Sequence, residues 1–376
     1  MIPALLVSAL ASVAQAIAIS GPTGPYAVSM DIQALTDSGR LDPYAPADDP
    51  HSRQVLISTF IPVNETETPC RRRHTTPYMT PLVAAAYDQL GVFVGLPNGT
   101  FSSLELEFCA PKTSRCRSKV PSYPLVLFSP GAGNPRLLYG AMAREVASHG
   151  FAVVTIDHPY DASFVEFPDG TVFSAVSIDD ENSTAIELLT KVRAEDTSFV
   201  LSHLSENPVR GIDLTKVIMF GHSLGGATAA TAMLSDPRIR GGINLDGRLP
   251  NPVKDAGLDG PFVLVGRPGH ADEDQTWDVF YEHLRGPRSH LEVKGTLHGS
   301  FTDFPTLIQS LHLTLPDEAK ALLESQIGTL EFGRAGQVVA GIVSAFADAV
   351  LNGKAESLFT IGDEAIPEVE VVRAEM

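Results

Sequence analysis

A single serine stands between two glycines where a strand pattern gives way to a helix pattern. In the stretch KVIMFGHSLGGATAA, residues 216–230, Ser223 lies between Gly221 and Gly225 in the pattern G-x-S-x-G. The apolar residues before the serine predict a strand, and the small residues after it predict a helix. A sharp turn between the two lifts the serine oxygen out of the sheet, and the start of the helix offers free N–H groups to a developing negative charge. The pattern therefore predicts that Ser223 is a nucleophile for acyl transfer.

A serine hydroxyl is a weak nucleophile at neutral pH and needs a histidine that accepts its proton. With this turn, the order along the chain is serine, acid, histidine. His298, in GTLHGSFTDF, follows a predicted strand and lies in a short loop that reaches the edge of the sheet. His270 precedes the last predicted strand and His312 lies in a predicted helix. Position in the strand order therefore favours His298 as the base.

The sequence offers two positions for the acid. Asp246 ends an apolar run one strand after the serine, whereas Asp272, Glu273 and Asp274 follow the next strand, where the acid is found more often in such sheets. A carboxylate at the tip of an apolar run needs a partner, and a histidine N–H is a suitable one. A cluster of carboxylates is more typical of a solvated face. The residues favour Asp246 and leave the later carboxylates as alternatives.

Two backbone N–H groups are candidates for stabilising an oxyanion. One belongs to Leu224, directly after the serine, and the other to Ala132, between two glycines in the loop SPGAGNPRLLY that follows a predicted strand. One donor from each of these positions is the arrangement that this turn uses. Asp157 and His158, in TIDHPYD, end another strand at the same edge. We expect these two to fix loops or to pack in the core rather than to react.

Strand and helix patterns alternate from about residue 121 onward. The predicted strands are YPLVLFS (123–129), FAVVTID (151–157), KVIMFG (216–221), GGINLDG (241–247), PFVLVGR (261–267) and HLEVKG (290–295). Helical spacing lies between them, and a last helix is predicted near residues 336–351. This alternation predicts an α/β fold whose parallel sheet has right-handed crossovers, with the chemistry at the carboxyl ends of its strands. We expect one domain over residues 17–376, with an N-terminal strand extension at about 20–120, a core at about 121–352 and no second domain.

Composition limits the class of protein. Hydrophobic residues make up 44% of the 376 residues and charged residues 19%, which is typical of a globular chain. The net charge of −18 argues against a nucleic-acid partner and against electrostatic binding to anionic membranes. The three cysteines lack the spacing of a zinc site, so we expect neither a metal nor another cofactor. The sequence indicates no particular oligomeric state.

The first thirty residues carry no charged side chain and begin with the apolar stretch MIPALLVSALASVAQAIA. Its small residues near Ala16 fit a signal-peptide cleavage site, so we predict a signal peptide over residues 1–16 and a secreted, extracellular protein. An uncleaved anchor is the alternative, which the moderate hydrophobicity of the stretch disfavours. Three N-x-S/T sequons are candidate glycosylation sites, at Asn64, Asn98 and Asn182. In an oxidising compartment we expect two of the three cysteines, Cys70, Cys109 and Cys116, to pair.

Five stretches occur in a fixed order along the chain: FSPGAGNPRLLY, TIDHPYDA, FGHSLGGATAA, INLDG and LHGSFTDF. Together they resemble the secreted, plasma-type platelet-activating factor acetylhydrolases and their microbial relatives, over most of residues 25–370. The resemblance implies an α/β-hydrolase fold, with a mostly parallel central sheet flanked by helices. It implies a metal-independent esterase that removes a short acyl group from the sn-2 position of a glycerophospholipid. It also implies Ser223 as nucleophile, Asp246 as acid and His298 as base, with Ala132 and Leu224 as oxyanion donors.

The sequence departs from this family at three positions near the predicted catalytic residues, where a substrate would bind. Pro130 stands where a histidine is common, Leu224 where phenylalanine is also seen, and GRLP follows the acid. The expected partner is therefore a small-molecule or lipid ester, with transient contact to a lipid surface as one mode of access. Two alternatives stay open: a cutinase-like, polyester or general carboxylesterase, and a catalytically silent binding protein. The intact Ser/Asp/His set argues against the silent protein.

Overall fold

The structure, a computed structural model, describes residues 16–66, 70, 72–93, 95–110, 121–179, 181–313, 316–353 and 366–375. The predicted signal peptide, apart from Ala16, lies outside the described residues, and so does Cys116. The other two cysteines, Cys70 and Cys109, are joined by a disulfide that links segments 39 residues apart in the sequence.

Strands and helices alternate through the described part of the chain. The strands are β1 (Ile17–Ala18), β2 (Ala27–Leu41), β3 (Ser52–Val63), β4 (Arg73–Pro77), β5 (Leu104–Cys109), β6 (Tyr123–Ser129), β7 (Ala152–Asp157), β8 (Phe164–Glu166), β9 (Val172–Ser174), β10 (Ile212–His222), β11 (Ile239–Leu245), β12 (Phe262–Gly266), β13 (Arg288–Val293) and β14 (Val369–Glu375). The α-helices are α1 (Pro81–Phe93), α2 (Thr100–Ser103), α3 (Gly140–Ser148), α4 (Ser183–Glu206), α5 (Leu224–Ser235), α6 (Val253–Ala256), α7 (His270–Glu273), α8 (Thr276–His283), α9 (Phe304–Ser310), α10 (Asp317–Ile327) and α11 (Arg334–Asn352). Two 3-10 helices are η1 (Arg136–Tyr139) and η2 (His298–Phe301).

A nine-stranded sheet organises these elements, in the order β14-β13-β12-β11-β10-β6-β7-β3-β2. Its six central strands run parallel, as the alternation of strand and helix patterns predicts. The predicted α/β fold class is thereby confirmed. The parallel prediction is incomplete at the two edges, because β2 and β3 on one side and β14 on the other pair antiparallel. Strands β2 and β3 come from the N-terminal part of the chain and join the same sheet as the later strands.

Successive side chains of the central strands alternate between two cores. Phe128 and Phe220 face the layer that contains α3 and α11, whereas Leu127 and Met219 face the layer that contains α4 and α5. This alternation is the period-2 geometry of a strand covered on both faces, which explains why the strands are continuous apolar runs. The helix α11 is long and apolar enough to cross a membrane, but 61% of its most apolar window is buried against other parts of the fold. It packs here as a core helix.

Two local expectations can be compared with the structure. The run 123–129 is β6 as predicted, and the run 151–157 differs from β7 by one residue. His312 was predicted in a helix, and this is wrong, because α9 ends at Ser310. The residue has a positive φ of 48°, a left-handed conformation that ends helices.

The three sequons lie at the surface of the fold. Asn98 and Asn182 are exposed and Asn64 is half-buried. The Asn182 side chain also caps α4, because its oxygen accepts a hydrogen bond from the backbone N–H of Ala185 at 3.2 Å.

Candidate active site

The turn between β10 and α5 holds Ser223 in a strained backbone conformation. The strand ends at His222, the helix begins at Leu224, and Ser223 between them has φ 55° and ψ −125°. Few residues other than glycine adopt a positive φ, and such strain is common at functional sites. The conformation is held by hydrogen bonds on both sides, since the Ser223 N–H donates to Leu245 O and the Gly226 N–H donates to Ser223 O.

Close backbone approach explains the glycines on either side of the serine. A Cβ atom at Gly221 would lie 2.2 Å from the carbonyl carbon of Gly225, and one at Gly225 would lie 1.9 Å from the carbonyl oxygen of Ser129. Gly221 also pairs in register with Ser129 on β6 and with Asn244 on β11. The ends of three neighbouring parallel strands therefore meet beneath the serine, as expected for an α/β sheet.

Asp246 follows β11 directly and is 2% exposed. Its Oδ2 lies 2.7 Å from His298 Nδ1, and its Oδ1 accepts a hydrogen bond from the backbone N–H of Arg267 at 2.9 Å. Burial favours the protonated carboxyl, but contacts with His270 and His298 outweigh burial and hold the pKa of Asp246 well below its usual range. The carboxylate is therefore ionised at neutral pH and orients the His298 ring.

His298 lies on the single 3-10 turn η2, after β13, and its side chain is 52% exposed. Ser223, Asp246 and His298 line one open cleft of about 760 Å³. The structure thus brings together the three residues that the sequence singled out for acyl transfer, although they are spread over 76 positions of the chain, from 223 to 298. Their catalytic roles remain predictions.

The predicted oxyanion donors belong to Leu224, directly after the serine, and to Ala132, in the loop after β6. The loop after β6 packs against the turn, because a Cβ at Gly225 would also lie 2.6 Å from the carbonyl oxygen of Pro130. Within the described residues, neither the N–H of Ala132 nor that of Leu224 donates a hydrogen bond to a protein acceptor. Both are therefore available to an oxygen of a bound substrate.

The alternative base His270 contacts Asp246, and the alternative acid Asp274 contacts His270 in turn. His270 Nδ1 lies 2.8 Å from Asp246 Oδ1, and His270 Nε2 lies 3.4 Å from Asp274 Oδ2. Both nitrogens thus lie within ion-pair distance of a carboxylate, although neither has the geometry of a good hydrogen bond in the described part of the chain. Burial of the His270 imidazole opposes protonation, but Asp246 and Asp274 outweigh it and raise the pKa of His270 to about 9.

The later carboxylates therefore do not all lie on a solvated face. Asp272 and Glu273 are exposed, as a charged cluster predicts. The interpretation is wrong for Asp274, whose side chain is only 15% exposed because it turns inward to the His270 ring. The sequence does not separate these three residues, since the distinction depends on how α7 packs beside Asp246.

A second Ser–His–Asp arrangement lies in the interior. Ser129 Oγ is 3.0 Å from His158 Nε2, and His158 Nδ1 is 2.9 Å from Asp196 Oδ2. All three residues are 2% exposed or less, and Asp196 also pairs with the buried Arg53. A substrate cannot reach this serine, so the arrangement fixes loops. These contacts match the loop-fixing role that we expect for His158. The ion pair between Asp157 and Arg136 matches the same expectation for Asp157. Asp196 lies in the middle of α4, and no sequence pattern predicts that it takes part.

Metal ligands form no cluster in the part of the chain that the structure describes. No group of three or more His, Cys, Asp or Glu side chains there is arranged to hold a metal ion. The chemistry available to the described cleft is that of a hydroxyl, an imidazole and a carboxylate, with two backbone donors.

The raised pKa of His270 predicts a pH-dependent contribution to stability. Because the folded-state pKa of about 9 lies above the ordinary 6.5, the contribution is fully present below about pH 6.5 and is lost as the pH rises through about 9. We expect His270→Gln to lower the free energy of unfolding more at pH 6 than at pH 10, with a difference of up to about 3 kcal/mol. Chemical denaturation at the two pH values measures this difference.

His290 provides the matched control, because burial and then Arg373 lower the pKa of this imidazole to about 4. A buried histidine that folds neutral destabilises the protein as the pH falls below 6.5, so His290→Gln is expected to show a pH dependence of the opposite sign. A loss for His270→Gln that stays constant from pH 6 to pH 10 would contradict the pairing of His270 with the two carboxylates.

Comparisons with known proteins agree with this cleft. A family profile described as "Platelet-activating factor acetylhydrolase, isoform II" matches residues 96–195 and 176–316, which together span more than half of the chain. The "Probable 1-alkyl-2-acetylglycerophosphocholine esterase" of Arthroderma benhamiae is 28% identical over 391 residues, covering 98% of this chain and 97% of the relative. The "Platelet-activating factor acetylhydrolase" of Cavia porcellus is 28% identical over 220 residues, 48% of this chain and 49% of the relative.

Among solved structures, a ferulic acid esterase from Streptomyces cinnamoneus superposes with a TM-score of 0.76 at 27% identity, covering 96% of this chain and all of the other. The neighbour is itself an esterase, which agrees with the fold and with the residues in the cleft. The chain is an ester hydrolase with an α/β-hydrolase fold, and it belongs to the platelet-activating factor acetylhydrolase isoform II family.

Proposed function

We propose that the chain is a secreted serine esterase that hydrolyses short acyl esters, acetyl esters above all, at the sn-2 position of glycerophospholipids. The observation that carries the proposal is the 2.7 Å contact between His298 and Asp246 in the cleft that also contains Ser223. The names of the relatives from Arthroderma benhamiae and Cavia porcellus support an acetyl ester as the substrate.

The proposed reaction follows the serine-hydrolase sequence. His298 accepts the proton of Ser223 as the serine oxygen attacks the ester carbonyl, and Asp246 holds the imidazole in the required tautomer and balances its charge. The N–H groups of Ala132 and Leu224 stabilise the oxyanion of the tetrahedral intermediate. His298 then donates its proton to the leaving alcohol, and water hydrolyses the acyl-enzyme by the same route.

Two basic residues support a substrate that carries a phosphate group, although Asp246, Glu273 and Asp274 line the same cleft. Arg248 and Lys254 line the cleft together with Ser223, although the whole chain carries a net charge of −18. Arg248 is exposed and forms no ion pair with another described residue. An arginine in this position suits a phosphate group, to which it donates two parallel hydrogen bonds.

A general carboxylesterase is the second candidate, and the ferulic acid esterase superposition favours it. The cleft of about 760 Å³ is open enough to admit esters other than phospholipids. The two candidates differ in how they use Arg248, because a neutral ester offers that residue no charge to bind.

Secretion is part of the proposal. The uncharged N-terminal stretch, the disulfide between Cys70 and Cys109 and the surface positions of Asn98 and Asn182 support an oxidising, extracellular environment. We also propose that residues 17–376 form one domain, which the shared sheet of β3 and β7 supports.

Replacing the nucleophile tests the chemistry. Ser223→Ala removes the only hydroxyl that the reaction uses, and we expect kcat to fall by about 10⁴-fold or more while the circular-dichroism spectrum and Tm stay close to those of the parent. Labelling with a fluorophosphonate probe is expected to disappear in parallel. Ser129→Ala, which removes the hydroxyl of the buried arrangement, is the matched control and is expected to retain labelling. A Ser223→Ala variant that still turns over ester would contradict the proposal.

Two carboxylate replacements decide the acid. Asp246→Asn replaces the charged acceptor of the His298 ring by a neutral amide that can also donate and so favours the wrong tautomer. We expect kcat to fall by about 10⁴-fold, as in other triads with this change. Asp274→Asn changes the contacts of this side chain with His270 and with the backbone N–H of Thr276, and leaves the contact between Asp246 and His298 in place. It is expected to lower kcat by less than about tenfold. Steady-state kinetics on a nitrophenyl ester compare the two, and a larger loss for Asp274→Asn would assign the acid to the later position.

A substrate panel separates the two candidate functions. We expect kcat/KM for an sn-2 acetyl phospholipid to exceed that for a feruloyl ester or an insoluble polyester by at least about tenfold. Arg248→Gln is expected to lower kcat/KM about tenfold for the phospholipid and to leave that for nitrophenyl acetate unchanged, because only the phospholipid presents a phosphate. Equal losses on the neutral and the anionic ester, or a preference for the feruloyl ester, would favour the general carboxylesterase.

A further inference from the structure

A buried arginine is hydrogen-bonded to the loop that carries Ala132, one of the predicted oxyanion donors. Arg193 extends from α4 beneath the loop after β6 and is 1% exposed. Its Nη1 donates to the carbonyl oxygen of Pro130 at 2.6 Å and its Nη2 to that of Gly131 at 3.3 Å. The same Nη1 also lies 3.3 Å from Ser129 Oγ. One guanidinium is thus hydrogen-bonded to three consecutive residues, the last of β6 and the first two of the loop.

The other side of the loop is held by Asp161. Its Oδ2 accepts a hydrogen bond from Arg193 Nε at 2.5 Å, and its Oδ1 accepts one from the backbone N–H of Gly133 at 3.1 Å. Ala132 therefore lies between a carbonyl held by Arg193 and an N–H held by Asp161. Within the described residues, the Arg193–Asp161 ion pair fixes the backbone on both sides of Ala132 and does not contact the Ala132 N–H itself.

The hydrogen bond from Arg193 to the Gly131 carbonyl also determines where the Ala132 N–H points. In a trans peptide the C=O of one residue and the N–H of the next lie in one plane and point in opposite directions. Because the Gly131 carbonyl is directed at the buried guanidinium, the Ala132 N–H must point away from it, toward the exposed side of the loop. Ala132 is itself exposed, and its N–H has no acceptor in the described part of the chain.

Stability alone does not explain why a buried ion pair holds this loop. Ion pairs buried to this degree often stabilise a fold no more than apolar residues of the same volume would. A planar fork that reaches two carbonyls and a carboxylate at once does, however, fix orientation better than apolar packing. The pKa of Asp161 stays below its usual value, because Arg193 outweighs the opposing effect of burial.

We propose that Arg193, together with Asp161, is a positioning residue that aims the Ala132 N–H at the oxyanion. It touches neither substrate nor reacting atoms, and it acts by fixing the Gly131–Ala132 peptide plane before the reaction begins. The inference rests on the proposed esterase function. The inference adds that a side chain of α4, on the buried side of the loop, orients one of the two N–H groups of the oxyanion site.

The test uses Arg193→Lys in the full chain, with nitrophenyl acetate as substrate. Lysine keeps the positive charge beside Asp161, but an ammonium cannot span two carbonyls in fixed geometry. We expect kcat to fall by about 10- to 100-fold, less than or equal to the loss of a whole oxyanion donor, while KM changes by less than about threefold. Affinity for a trifluoromethyl ketone, which forms a tetrahedral adduct with the serine, is expected to fall by the same factor as kcat/KM.

Arg144→Lys is the matched control. Arg144 is also a buried arginine, 2% exposed, and it donates to the backbone carbonyls of Ile19, Ser20 and Glu107, away from the cleft. Its replacement is expected to leave kcat and inhibitor affinity unchanged, whatever its effect on Tm. Equal kinetic losses in Arg193→Lys and Arg144→Lys would overturn the inference, because they would reflect general loosening.

A folded Arg193→Lys whose kcat stays within threefold of the parent would also overturn the inference. If Arg193→Lys does not fold, Asp161→Asn, which keeps the arginine, takes its place with the same expectations and the same overturning result. The failure of the proposed function gives a different pattern. Activity that survives in Ser223→Ala would contradict the serine mechanism. An inactive Ser223→Ala together with an unaffected Arg193→Lys would contradict only the role of Arg193.

Discussion

The buried carboxylate of Asp246 is the charge around which the cleft is arranged. At 2% exposure an unpaired carboxylate would cost several kcal/mol, and the fold compensates for this with two imidazoles, the Arg267 guanidinium and one backbone N–H. The same contacts fix where His298 can lie, because its Nδ1 must face Asp246 and its other nitrogen is left for the cleft. A change that displaced this carboxylate would remove the 2.7 Å contact that orients the half-exposed ring of His298 and would leave that ring beside His222, whose ring centroid lies 4.5 Å away.

Close approach of backbone to backbone supplies the second constraint. The turn at Ser223, the end of β6 and the residue after Asp246 pack so tightly that side chains are excluded, since a Cβ at Gly247 would lie 2.0 Å from Ser223 O. The same packing brings the start of the loop that contains Ala132 against the first turn of α5, because a Cβ at Gly225 would lie 2.6 Å from Pro130 O. Ser223 and Asp246, the predicted nucleophile and acid, and the loop of the predicted donor Ala132 thus meet in one contact region rather than on independent loops, as preorganised electrostatic stabilisation requires.

Two Ser–His–Asp arrangements in one chain show that distances between side chains do not identify a reactive serine. Ser129 has an imidazole at 3.0 Å and a carboxylate behind it, yet it is fully buried and its surroundings are occupied by Arg193 and Arg53. Ser223 lies in an open cleft on a strained turn. Access and backbone conformation distinguish the two, and both follow from where the residues fall relative to the edge of the sheet.

Sequence alone was sufficient for the features that depend on local patterns. The apolar runs predicted the central strands, and G-x-S-x-G, a carboxylate at the end of a strand and a histidine after the last parallel strand predicted the three residues of the cleft. Such features are readable because hydrophobic period and turn chemistry involve residues close together in the chain.

Tertiary structure decided what depends on distant contacts. The antiparallel edges, the inward turn of Asp274, the burial of Ser129, His158 and Asp196 and the hold of Arg193 on a loop 63 residues away arise only when separate elements pack together. A polar residue in the middle of a helix gives no local sign of the partner it will meet, because burial and charge pairing are properties of the assembled layers and not of the segment that contributes the side chain.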